Sequence, residues 1–237
     1  MIIHDKPLEF YVNKLKKKEY FSIGAYGDGE WIAILHERVG LQNTEGTIYT
    51  SELCRELKES LNFQSDNFLF STPVGLRDGK ETGIGEKKID RASPPGIEFY
   101  EKDMWDREAR LGGLVPFIKQ LQKMNVVVIS NKALRKLPFY DHFIEVSYPN
   151  CYEEKERITK EIIEYGKSGV YLFSCGLPAS IFVQSVHGKI RRSWFLDVGS
   201  IWDAFVGIGE QRGWRKELYK DKLKYGEWKS LYKDAGF

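Results

Sequence analysis

The sequence predicts an α/β fold: a Rossmann-like, mostly parallel sheet with helices on both faces. Three observations point there. Short apolar runs of strand length recur along the chain. Between them lie longer stretches whose apolar residues fall at helical spacing, and alternation of the two is the pattern of βαβ units. The chain's 237 residues, 42% hydrophobic and 30% charged, suffice to bury a substantial core without disulfide staples.

In order, "YFSIGAY" (20–26) reads as a strand and "EWIAILHERV" (30–39) as a helix with Trp31, Ile34 and Leu35 on one face. "SELCRELKESLNF" (51–63) is helical, with an acid in its first turn, and "NFLFST" (67–72) is a strand. Residues 72–96, rich in glycine, proline and charge, read as a long loop able to close over a ligand. "IEFYEKDMWDREARL" (97–111) and "LVPFIKQLQKM" (114–124) read as helices. A second alternating series follows, with strands at "NVVVIS" (125–130), "HFIEVS" (142–147), "VYLFSC" (170–175) and "SWFLDVG" (193–199). Helices are expected between and after them, at "NKALRKL", "YEEKERITKEIIEYGKSG", "LPASIFVQSVHG" and "SIWDAFVGI". Residues 210–237 read as a basic, aromatic, amphipathic helical tail, with a break at Gly226, appended to one domain spanning 1–237.

Bulk properties exclude several classes. A net charge of +2 implies no general polyanion binding. Three scattered cysteines, Cys54, Cys151 and Cys175, make no disulfide framework and favour a reducing, cytoplasmic setting. With the four histidines they show no zinc spacing. The N-terminal stretch has no apolar h-region, and no apolar run reaches the roughly 20 residues needed to cross a bilayer.

In open parallel sheets ligands bind beyond the carboxyl ends of the strands. Four such ends carry polar or small residues: Gly27 to Glu30; Ser130, Asn131 and Lys132; Ser174, Cys175, Gly176 and Pro178; and Asp197, Gly199 and Ser200. The first, "YGDGEW", admits four readings. An Asp-Gly hairpin turn conflicts with the helical period that follows. A dinucleotide fingerprint fails at Ile32, where a small residue is required, and its two acids would repel a pyrophosphate. A glycosidase pair needs carboxylates on opposite faces of a sugar. In the fourth reading, Asp28 and Glu30 lie on the same side of extended backbone and hold one Mn²⁺ or Mg²⁺, completed by substrate phosphates and water. Gly27 and Gly29 then let the backbone approach a diphosphate, whose charge as a leaving group the metal neutralises.

"SIGAYGDGEW" resembles the S-I-x-R-(F/Y)-G-D-G-E signature of the GT-D fold glycosyltransferases, a family first described as a domain of unknown function. "SCGLPASIFVQSVHGKIRRSWFLDVGSIWDAF" is similar to that family's glycine-proline strand end, helix, and strand ending in Asp-hydrophobic-Gly. The resemblance implies a GT-D type fold and a divalent metal held by Asp28 and Glu30, gripping a nucleotide-sugar diphosphate. The family's arginine is Ala25 here, and Lys132, Arg191 or Arg192 are the candidate replacements.

Other residues carry two readings each. Asp197 is either the general base that deprotonates an acceptor hydroxyl or a helix cap or ion-pair partner, with Asp203 its rival as base. Ser130, Asn131 and Lys132 bind the donor or cap a helix. Gly176 gives close donor approach or only a turn. His187 suits a helix-dipole contact and Cys175 a buried structural thiol. The tail's lysines and aromatics touch phosphates and stack on bases or sugars, or form a docked helix. The resulting expectation is a glycosyltransferase moving a sugar from a UDP-type donor to a glycan, a glycoconjugate or a hydroxymethylated base in viral DNA. A non-catalytic nucleic-acid-binding module and a metal-dependent nuclease or phosphoryl-transfer enzyme are the alternatives.

Overall fold

In the computed structural model of the chain, the described residues are 1–35, 38–43, 45–78, 83–210 and 213–237. Strand β1 (Ile2–His4) and helix α1 (Leu8–Lys17) open it, followed by β2 (Ser22–Ala25), α2 (Asp28–Ile34), α3 (Ser51–Ser60), β3 (Phe68–Thr72) and α4 (Glu86–Ala92). Next come β4 (Glu98–Glu101), α5 (Asp103–Leu111), α6 (Val115–Leu121), β5 (Val126–Ser130), β6 (His142–Glu145), α7 (Lys155–Tyr165) and β7 (Val170–Ser174). The chain finishes with α8 (Ala179–Val186), β8 (Trp194–Asp197), α9 (Asp203–Val206), α10 (Gly213–Tyr219) and α11 (Lys222–Ser230).

Among the described residues the strands form one eight-stranded sheet in the order β1-β4-β3-β2-β8-β7-β5-β6. Every pairing is parallel. Alternation along each strand divides the core into two layers. Phe68, Phe70, Tyr171, Phe173 and Phe195 face one side, with α2, α3, α4, α7 and α8. Ile23, Leu69, Val128, Leu172 and Leu196 face the other, with α1, α5, α6, α9 and α11. Burial on both faces explains why β5 and β7 read as continuous apolar runs.

The two connections leaving β2 and β8 therefore diverge. The chain leaves β2 for α2 on the first face and leaves β8 for α9 on the second. These strands are neighbours, so a crevice opens between them at their carboxyl ends, a topological switch point.

Several elements differ from the sequence reading. β1 carries no signal of its own and exists by pairing with β4. β4 was expected as part of a helix; pairing with β1 and β3 and full burial of Phe99 make it a strand. In the expected loop 72–96, Glu86–Ala92 is helical because Ile84 and Ile89 seat in the core, and residues 79–82 lie outside the described residues. Helix α2 ends at Ile34, and positions 36 and 37 of its expected span are outside as well. "NKALRKL" forms a 3₁₀ turn over Lys132–Lys136.

The tail breaks at residues 220–221, where the Asp221 side chain caps α11, and Gly226 lies inside that helix. Its aromatics face inward: Trp228 and Tyr232 are buried and bond the Ala109 carbonyl. These two rings are not free to stack on bases, while Tyr219 and Tyr225 are half-buried.

Candidate functional site at the β2–β8 crevice

The four polar strand ends picked out in the sequence belong to four adjacent strands, β2, β8, β7 and β5. Short hydrogen bonds tie them together. Ser130 Oγ donates to the Ser174 carbonyl (2.6 Å), and Ser174 Oγ donates to the Gly199 carbonyl. Asp197 is 4% exposed. Its Oδ2 accepts from the Ala25 amide and Ser180 Oγ, each at 3.2 Å, and its Oδ1 accepts from the Gly199 amide at 3.1 Å. This carboxylate clamps the end of β2 to the turn after β8.

Gly27 precedes α2 in extended conformation, and Glu30 folds back so that its Oε2 accepts the Gly27 amide at 2.8 Å. Asp28 is exposed and makes no hydrogen bond or ion pair among the described residues. The extended backbone assumed for the acid pair is instead the first turn of a helix, where positions two apart diverge. Both acids still stand at the crevice, close enough that Asp28 acts on the Glu30 charge. Asp28 offers two open oxygens and Glu30 its Oε1. That donor set fits a hard cation taking one or two carboxylates, with phosphate and water completing its shell. Among the described residues no cluster of three or more metal-type side chains exists, so a cation there would depend on its substrate for ligands.

Lys102, between β4 and α5, completes the crevice. Its backbone is pinned by Glu101, whose carboxylate accepts the amides of Asp103 (2.6 Å) and Val74 (2.9 Å). Its Nζ lies 3.4 Å from where a Cβ on Gly27 would stand and 3.7 Å from that of Gly199. Tyr49 approaches from the other side, its hydroxyl 3.7 Å from the corresponding point on Gly29.

No family model and no curated relative matches the sequence. Solved structures do. A glycosyltransferase (DUF1792) from Streptococcus sanguinis is similar with a TM-score of 0.62 at 15% identity, covering 92% of this chain and 85% of that one. A structure of domain of unknown function 1792, described as having a distinct glycosyltransferase fold, gives a TM-score of 0.60 at 12% identity over 92% and 82%. The chain has this glycosyltransferase fold. The expected α/β architecture of GT-D type is therefore the observed one.

Within the DUF1792 fold the candidate residues distribute unevenly. Asp28, Glu30, Gly27, Gly29 and Asp197 meet at the β2–β8 crevice. Gly29 is also a packing residue, since a Cβ there would come within 2.6 Å of Leu177. Gly176, at φ +75°, forms the turn after β7. Ser130 is fully buried in its strand tie, Asn131 Oδ1 caps the following turn through the Ala133 amide, and Lys132 is exposed. Arg191 and Arg192 precede β8 at the opposite, amino edge of the sheet and cannot replace the arginine at position 25. Asp203 pairs with the buried Arg215 at 3.4 Å. His187 bridges Ser22 and Ser65, at 2.7 and 3.0 Å. Cys175 is buried, and its carbonyl accepts from Cys151 Sγ.

Lys102 and Tyr49 escaped sequence reasoning. Lys102 sat inside an expected helix, and no motif marked either residue.

The electrostatics of the crevice follow from its depth. Burial pushes the Glu30 carboxyl up to about 7; Lys102 opposes this, while Asp197 and Asp28 reinforce it. Burial likewise raises Asp197 to about 6, against Lys102 and the three hydrogen bonds it accepts. Burial also lifts the Tyr49 phenol to about 12, reinforced by Glu30 and Asp28. A carboxyl raised in the folded state keeps its proton where the unfolded chain has lost it. Its effect on stability is therefore most favourable below the ordinary value of 4.5 and is lost as pH rises to about 7. In chelator, Glu30→Gln is expected to flatten the decline in denaturant stability across that window. An unchanged slope would show that Glu30 is solvated like a surface acid.

Proposed function

We propose that the chain is a glycosyltransferase that transfers a sugar from a nucleotide-sugar donor, a UDP-sugar first among candidates, to an acceptor hydroxyl. The observation that carries this reading is the placement of Asp28 and Glu30 at the switch point of a sheet shared with DUF1792 glycosyltransferases. In the proposal these acids hold Mn²⁺ or Mg²⁺, which supplies the positive charge that a departing diphosphate requires. Gly27 keeps the β2 turn free of side chain where the diphosphate lies, and Gly176 with the Ser130–Lys132 corner frames the donor beside it. Asp197 was the expected base. Its two oxygens already accept three hydrogen bonds, and a base must reach its substrate. This favours Asp197 as the clamp that positions β2 against β8. A glycan or glycoconjugate is the acceptor favoured here, because Trp228 and Tyr232 of the tail are committed to the core.

Thermal unfolding with UDP, GDP, ADP and CMP, each with Mn²⁺ and with chelator, tests the reading. A ligand that binds only the native state raises Tm by mass action. The expected result is a rise with UDP that requires the metal. No rise with any nucleotide under either condition would overturn the proposal.

A further inference from the structure

Charge balance at the crevice leaves the metal insufficient by itself. A divalent cation bound to Asp28 and Glu30 is neutralised by them, and a diphosphate arriving there would lie in the field of the further carboxylates Asp197 and Asp103. A second positive group is needed, and Lys102 is placed to be that group. Its charge acts on Glu30, Asp197 and Asp103 together, yet its ammonium forms no hydrogen bond or ion pair among the described residues. Three donors are thus held in the crevice without protein acceptors.

The backbone is cleared for it on two sides. A Cβ on Gly27 would stand 3.4 Å from Nζ and one on Gly199 3.7 Å, and Gly199 also takes a φ of +57° that side chains disfavour. Glu101 fixes the β4–α5 corner, so the backbone that carries the lysine is set before a ligand binds. Ala25 alternates with Gly24 and so lies on the second face, the side on which α5 packs. A cation supplied from position 102 reaches the same crevice from a strand two places away.

We propose that Lys102 is a diphosphate-binding residue, its ammonium donating to phosphate oxygens of the nucleotide donor across Gly27 and Gly199. This deepens the reading of the site as a nucleotide-sugar site and rests on it. The residue acts on bound phosphate whatever the base or sugar.

The test is titration calorimetry of UDP and of inorganic pyrophosphate, both with Mg²⁺, on the parent protein, Lys102→Met and Lys102→Arg. Lys102→Met keeps the stem and removes the charge; Lys102→Arg keeps the charge, and circular dichroism of each variant checks the fold. Loss of a charge-assisted contact is expected to weaken both ligands about 10- to 100-fold in Lys102→Met. Lys102→Arg is expected to recover most of that loss. If the parent binds both ligands and a folded Lys102→Met binds them equally well, the assignment of Lys102 falls and the nucleotide-sugar reading stands. If pyrophosphate binds through Lys102 and UDP does not bind, the phosphate site stands and the UDP reading falls. If the parent binds neither, both fall. Should Lys102→Met fail to fold, Lys102→Gln removes the charge in its place: weakening of both ligands about 10-fold or more supports the assignment, and unchanged binding overturns it.

Discussion

The Asp28→Ala, Glu30→Ala double variant is expected to lose about a thousandfold or more of glycosyl transfer, since a metal at a departing diphosphate is worth several kcal/mol of charge stabilisation. The UDP-induced rise in Tm with Mn²⁺ should vanish with it. Stability of the ligand-free protein at neutral pH should hardly change. Asp28 is exposed and without a hydrogen bond or ion pair among the described residues. Glu30 is held against its own charge by burial and by its acidic neighbours. What is lost is the hydrogen bond to the Gly27 amide, about 1 kcal/mol. That loss is offset by relief of a poorly solvated negative charge. Activity lost without stability lost identifies groups retained for chemistry. A large drop in denaturant stability with residual transfer intact would show the acids to be structural.

Tyr232→Ala is expected to cost about 3–5 kcal/mol, read from the urea midpoint, because it empties the space of a large buried ring. Tyr232 is fully buried; its hydroxyl donates to the Ala109 carbonyl at 2.6 Å, and its ring meets Phe205 with centroids 4.6 Å apart. The consequence reaches the crevice through the tail. Arg215, in α10, donates to the Ser200 carbonyl at 2.6 Å and pairs with Asp203, bracing the turn that follows Asp197. A cost below about 1 kcal/mol would show that the tail merely lies on the second face.

The strands best read from sequence were those whose burial is symmetrical. β5 and β7 are apolar up to their terminal serines because helices cover both faces. β1 and β4 were not legible. Three or four residues with mixed polarity have no preference strong enough to announce a strand, and pairing with each other and with β3 supplies it. The turn at Gly27 to Glu30 was legible because its residue types are costly elsewhere, two acids alternating with two glycines at a strand end. Its conformation was not: the first turn of α2 begins at Asp28, since the Glu30 side chain satisfies the Gly27 amide.

By itself the sequence determined the parallel α/β plan, the inward strands and the acid pair at one strand end. Hydrophobic periodicity and residue chemistry are properties of short stretches, and they survive without knowledge of neighbours. Only the tertiary structure decided that β2 and β8 lie side by side, with Asp197 clamped between them. The same holds for Lys102, brought to the acids from the end of a strand two places away, and for Trp228 and Tyr232, turned inward onto Ala109. These depend on strand order and on contacts between residues as far apart as 25 and 197, which no local pattern encodes. Lys102 stands at the corner that follows β4, a strand visible only once its partners are in place.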